Sequence, residues 1–163
     1  MLTNEEINKL NEISMMQDKL DEEILKVHEC NFDLEKSKLA LIDELGETNH
    51  ENKANWCWWK FTQEPVNKSK LLKELVDCWH FAMSIYNHTR TDMDIKRNVK
   101  SYEVEKYQRY ELSKLIAWVI LKTENILAIM IAITNKLGFT IDEIYTAYVA
   151  KNRVNYERLK NGY

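Results

Sequence analysis

Two short acidic pairs hold the chemistry most open to this sequence. Glu44 and Glu47 stand three apart in DELGE, and Glu74 and Asp77 stand three apart in KELVDCWHF. On a helix, residues at i and i+3 project side by side. Two such pairs on antiparallel helices would place four carboxylates in one pocket, where they repel and raise one another's pKa values. A divalent cation relieves that repulsion, and an all-oxygen ligand set selects Mg²⁺, with Mn²⁺ as the alternative. The competing reading is a polar stripe that faces water. Gly46, inside the first pair, lowers helix propensity and predicts that something approaches this backbone closely. Asp43 points roughly 100° away from Glu44 and reads as a solvated charge. Glu51 lies on the Glu44 side and reads as solvated or as an outer contributor.

Other polar residues stand where apolar ones are expected. On a wheel of the helix predicted over 68–87, Lys70, Lys73, Glu74, Asp77, His80 and Ser84 share one arc of roughly 120°. Leu71, Leu75, Val76, Trp79, Met83 and their neighbours fill the rest. Gln17 falls on the apolar stripe of the first helix, so its amide needs a partner. Lys151, Asn155 and Arg158 are spaced i, i+4, i+7 on one face. They read as a solvated basic face or as a cradle for phosphate and sugar oxygens.

The elements that position these residues are helices. One proline and three glycines in 163 residues argue against a β-rich or loop-rich chain. The sequence predicts an all-α, single-domain bundle of about five to six helices over residues 1–163. Thr3-x-x-Glu6 and Thr140-x-x-Glu143 are capping boxes that open the first and last helices. The predicted spans are 4–29, 37–51, 68–87, 102–137 with a break near 122–125, and 141–160. Gly138 caps the fourth span. Residues 30–36, 52–67 and 88–98 read as connections.

Composition excludes several classes. A net charge of −3 gives no support for sequence-blind nucleic-acid binding. Residues 1–10 are polar and acidic, unlike a signal peptide. The most apolar stretch, LIAWVILKTENILAIMIAI, is interrupted by charged and polar residues and does not read as a membrane span. Cys30, Cys57 and Cys78 form no CxxC and read as reduced thiols in a cytoplasmic protein. The four histidines lack zinc spacing. The Lys-, Asn- and Ile-rich composition fits AT-rich coding in a bacterium or its virus.

The spacing ELGE, 26 residues, ELVD resembles the ExxE…ExxD signature of the all-α nucleoside triphosphate pyrophosphohydrolases, the MazG-like superfamily. WCWWK (56–60) resembles the WxWWK-type motif of the dimeric dUTPases, and ELVDCWHF resembles their E-[IV]-V-D-x-x-H-F helix. MMQDKLDEEI (15–24) is similar to their first motif and YVAKNRVNYERLKNGY (148–163) to their C-terminal segment. The resemblance implies Mg²⁺-dependent cleavage of dUTP to dUMP and pyrophosphate, which limits uracil incorporation into DNA. It leaves dUDP open as a second substrate. Glu44, Glu47, Glu74 and Asp77 would hold the metal, with Glu44 orienting the attacking water. Gln17 would read the uracil edge, and Trp58 or a neighbouring tryptophan would line or stack against the base; aromatic bulk otherwise packs inside, and Trp56 or Trp59 is expected to do that. Asp21 stands where some members carry Asn. His80 would lie near the deoxyribose or base, and Lys60, Lys151, Asn155 and Arg158 near phosphate and sugar oxygens. A homodimer is implied, both subunits contributing to each site, with no nucleic-acid or membrane partner. The alternatives are a dCTP-directed or broader pyrophosphohydrolase, and a helical interaction module without chemistry.

Overall fold

The computed structural model describes residues 2–92 and 94–162; Tyr163, the last residue of the C-terminal motif, lies outside them. The described residues form eight α-helices: α1 (Asn4–Val27), α2 (Leu34–Glu51), α3 (Lys68–Thr89), α4 (Ile95–Asn98), α5 (Ser101–Gln108), α6 (Leu112–Leu121), α7 (Ile126–Lys136) and α8 (Ile141–Lys160). The fold class is all-α, as the turn-poor sequence predicts.

Local chemistry sets the helix ends. The Thr3 hydroxyl accepts from the Glu6 amide at 3.1 Å, and the Glu6 carboxylate accepts from the Thr3 amide at 2.8 Å. The same reciprocal pair between Thr140 and Glu143 opens α8. α1 stops two residues earlier than predicted, where the chain reverses through Glu29 at φ 48°. α2 starts three residues earlier, because Asp33 caps it by accepting from the Lys36 amide at 3.1 Å. Gly138, at φ 81°, ends α7: its amide bonds Asn135 O and the Phe139 amide bonds Thr134 O, both at 3.1 Å.

The long helix predicted over 102–137 is three helices. The break at 123–125 falls where the polar residues placed it, and there the axes of α6 and α7 bend by 112°. A second break at 109–111, which carries neither Gly nor Pro, is additional. Both breaks let short apolar segments fold onto one another: Val104 and Tyr107 of α5 and Leu115 and Val119 of α6 are buried in the same core as α7. α7 is buried at every residue from Ile126 to Thr134. This hides the second half of the most apolar stretch inside the protein, and no single helix among the described residues is long and apolar enough to cross a membrane.

α3 is the central strut, with α2, α1, α7 and α8 all packed on it. Trp79 is fully buried and donates its indole N–H to the buried Thr134 hydroxyl at 3.0 Å, so the largest side chain of the core leaves no polar atom unmet. The apolar arc of α3 faces this core. Its narrow polar arc turns toward α1, α2 and α8, whose polar faces meet it around one cavity.

Candidate active site

The cavity is about 530 Å³ and lies between α1, α2, α3 and α8. One end is acidic. Leu41, Leu45 and Thr48 seat α2 in the bundle, which leaves Glu44 and Glu47 on the adjoining stripe. Glu47 meets Glu74, and Glu44 meets Asp77, so the two helices run in opposite directions here. Glu44, Glu74 and Asp77 each offer a carboxylate oxygen within 4.8 Å of the others. Glu47 lines the same cavity.

These carboxylates are poorly neutralised. Burial pushes the Glu44 carboxyl up to about 7, the charges of Asp77, Glu47 and Glu74 push the same way, and Lys151 opposes them. The neighbouring Glu74 carboxyl raises Glu47 above the usual range. Two ammonium groups reach the cluster. Lys151 Nζ donates to Asp77 Oδ2 at 2.6 Å, and Lys73 Nζ donates to Glu74 Oε1 at 2.9 Å. A hard divalent cation suits a set made only of carboxylate oxygens.

The other end is mostly neutral and hydrogen-bonded, with the Asp21 carboxyl among its groups. Gln17 finds its partners inside the protein: its Oε1 accepts from His80 Nδ1 at 2.8 Å and from the Tyr148 hydroxyl, and its Nε2 donates to Asp21 Oδ1 at 2.6 Å. The Gln17 carbonyl is thus saturated, and only one amide hydrogen remains for a ligand. His80 stacks on Tyr148 with centroids 3.9 Å apart and planes at 16°. Burial and the charge of Lys151 lower its pKa to about 3. The ring is therefore neutral, with its proton on Nδ1 and a lone pair on Nε2, a buried atom that finds no hydrogen-bond partner among the described residues. Among the described residues, Asp21 Oδ2 is a second buried acceptor without a hydrogen-bond partner; His88 Nδ1 stands 3.6 Å away. Burial raises the Asp21 pKa, opposed by the Ser84 hydroxyl and the Gln17 amide. Phe32 stacks on His88 at 3.9 Å and 9° beside this end.

Lys151, Asn155 and Arg158 line the cavity from α8, so their spacing marks one face turned toward it. Tyr148 belongs to that face, one turn before Lys151, and the spacing could have included it. Phe32 and His88 pair across distant segments and carried no signal. Asp43 is exposed, as its direction on the helix predicts. Glu51 lies in a neighbouring acidic groove with Asp43, Glu47, His50 and Glu74, outside the main cavity.

Two expectations are corrected. Among the described residues a Cβ at Gly46 would meet nothing within 4 Å, so the chain itself makes no close approach to that backbone. Gly46 instead lies on the rim of an apolar groove of about 400 Å³ with Ile42, Leu45, Ile116, Ala117 and Ile120. Nor do Trp56 and Trp59 pack in the core: they are 37% and 56% exposed, Trp58 is 87% exposed, and Cys57, at 3%, is what anchors this segment. The backbone explains this, because the Cys57 amide bonds Lys53 O at 3.0 Å and turns the thiol inward, leaving the rings on either side outside. Trp58 and exposed Lys60 do not line the cavity of their own chain.

The sequence matches a family model described as dUTPase over residues 9–163. No curated protein matches the chain.

Proposed function

Because the chain belongs to the dUTPase family, whose members hydrolyse dUTP to dUMP, we propose that it does so with Mg²⁺, releasing pyrophosphate, and that it works as a homodimer. The observation that carries the metal assignment is the convergence of Glu44, Glu74 and Asp77 oxygens within 4.8 Å. Glu47 adds a fourth carboxylate beside them. A bound dication would supply charge neutralisation for the triphosphate and a more acidic water. Among the carboxylates, Glu44 has a proton affinity, about 7, close to neutrality. Its place beside Glu74 and Asp77 in the converging set makes it the group assigned to orient the water and accept its proton, a bound dication lowering that affinity. Lys151, Asn155 and Arg158 hold the phosphate chain from the opposite wall.

The choice of base follows from the neutral end. Asp21 Oδ2 and His80 Nε2 are both buried acceptors without a hydrogen-bond partner among the described residues. Uracil offers an N3–H donor to them, whereas cytosine presents a lone pair at the same ring position. A buried acceptor facing another acceptor is penalised by about 1–3 kcal/mol. This favours dUTP over dCTP. The Gln17 amide keeps one hydrogen for a base carbonyl.

The dimer accounts for what the single chain leaves over. The groove between α2 and α6 is apolar, with Ile42 48% and Leu121 76% exposed. Trp58 and Lys60 stand away from their own cavity, and their roles against base and phosphate fit the cavity of a second copy. The test is pyrophosphate release from dUTP with Mg²⁺, beside dCTP, dTTP and UTP, with Glu74→Ala as control. Selective turnover of dUTP that is lost in the variant supports the reading. Turnover of dCTP keeps the acids and sinks the base assignment; no turnover with any nucleotide sinks both.

A further inference from the structure

We propose that the Lys151 ammonium is an internal stand-in for the metal cation, so that metal and nucleotide phosphate enter the cavity as coupled events. This rests on the pyrophosphohydrolase reading above. Lys151 Nζ lies 2.6 Å from Asp77 Oδ2, and the two side chains are only 18% and 12% exposed. A charge-assisted bond so shielded from water is stronger than a surface pair. Asp77 is also one of the three residues whose oxygens converge. A dication placed among them must take an Asp77 oxygen and would repel the ammonium beside it. Lys151 must therefore withdraw before or as the metal enters.

The structure offers Lys151 another place to go. Asn155 and Arg158 continue the same face of α8 along the cavity wall. A polyphosphate lying along that face presents anionic oxygens to the ammonium and draws it off Asp77. Metal and nucleotide then strengthen one another's binding, and by linkage the effect is reciprocal. Lys73 does not play this part. Its bond to Glu74 is 2.9 Å, but its side chain is 65% exposed, so water and salt screen the pair.

Mn²⁺ binding to the full chain without nucleotide, followed by the electron paramagnetic resonance of free Mn²⁺, tests the proposal. Lys151→Gln is expected to bind Mn²⁺ roughly tenfold more tightly than the wild type, because no ammonium competes. Lys151→Arg, which keeps a cation there, is expected to stay weak. Glu74→Gln is expected to weaken Mn²⁺ binding in each background, which assigns the signal to this cluster. The rise in Tm on adding Mg²⁺ is expected to be larger for Lys151→Gln than for the wild type. α,β-imido-dUTP, after correction for the Mn²⁺ it chelates itself, is expected to tighten Mn²⁺ binding in the wild type and less in Lys151→Gln. Equal or weaker Mn²⁺ binding by Lys151→Gln, or no tightening by the analogue in the wild type, overturns the stand-in and leaves the metal site intact. No Mn²⁺ binding by any of these proteins overturns the metal assignment and the proposal with it.

Discussion

The two ends of the cavity are built on opposite principles. At the acidic end, four carboxylates face two ammonium groups, and Glu44 is driven up to about 7 by burial and by its neighbours. At the neutral end, Gln17 satisfies His80, Tyr148 and Asp21 at once, and His80 is held uncharged with its pKa near 3. The first end stores repulsion that a cation would release. The second is already tied together by internal hydrogen bonds and has two lone pairs left over. A site that must capture a metal polyphosphate gains from the former, and one that must recognise a flat neutral ring gains from the latter.

The contrast breaks most visibly under substitution. Glu74→Ala is expected to cut turnover by on the order of a thousandfold or more, since on the proposed reading it removes a metal oxygen at the reacting end. It should leave Tm of the metal-free protein unchanged or raised, because it deletes a charge that repels Glu44 and Glu47. A fall in Tm of many degrees would show that the acids serve the fold. Gln17→Leu should do the reverse in kind. It strands the His80 and Tyr148 donors and Asp21 in a buried place, at a cost of about 2–4 kcal/mol in denaturant unfolding. If Gln17→Leu unfolds at the wild-type midpoint, the neutral end is not the rigid partner described.

Titration sharpens the same comparison. Glu44 has a folded pKa of about 7 against an ordinary value of 4.5, so the folded state holds its proton longer. Its contribution is present below 4.5 and is lost as pH rises through 7. His80 has the opposite sign. Its folded pKa of about 3 lies below the ordinary 6.5, so its contribution is present above 6.5 and is lost as pH falls through 3. Metal-free Tm is thus expected to bend down on both sides, with the two slopes opposed between 4.5 and 6.5. Glu44→Gln should flatten the alkaline side up to about pH 8 and leave the acid side. Identical Tm profiles for wild type and Glu44→Gln would refute the stored repulsion.

These ends were not equally legible in the sequence. The acidic pairs and the α8 stripe could be read because a helix converts spacing into a face, and all seven residues reach one cavity. Gln17 stood out as a polar residue on an apolar stripe, but spacing cannot show that its carbonyl is consumed by His80 and by Tyr148 131 positions away. The Phe32–His88 stack is hidden for the same reason. Gly46 misled because low helix propensity signals many things, and here it borders an open groove. The tryptophans misled because aromatic bulk usually packs inside, whereas this segment turns Cys57 inward and its rings outward. The break at 109–111 was invisible because it carries no breaker residue; what accompanies it is the packing of α5 and α6 on α7, which spacing does not show.

The smallest change separates recognition from stability at the neutral end. Tyr148→Phe keeps the ring that stacks on His80 and removes only the hydroxyl that donates to Gln17 Oε1. Burial holds that phenol well above its ordinary pKa, so in the wild type it is a donor throughout the working range. Gln17 Oε1 still accepts from His80 in the variant and is not orphaned. The cost should therefore be about 1 kcal/mol, a Tm fall of roughly 2–4 °C. The variant also frees one lone pair on the Gln17 carbonyl. If that carbonyl contributes to base reading, KM for dUTP should fall while kcat holds. If the reading is done by Asp21 Oδ2 and His80 Nε2, as their unpartnered state indicates, KM and kcat should both stay close to wild type. A large rise in KM would instead mean that the Tyr148 hydroxyl itself touches the nucleotide, which its bond to Gln17 argues against.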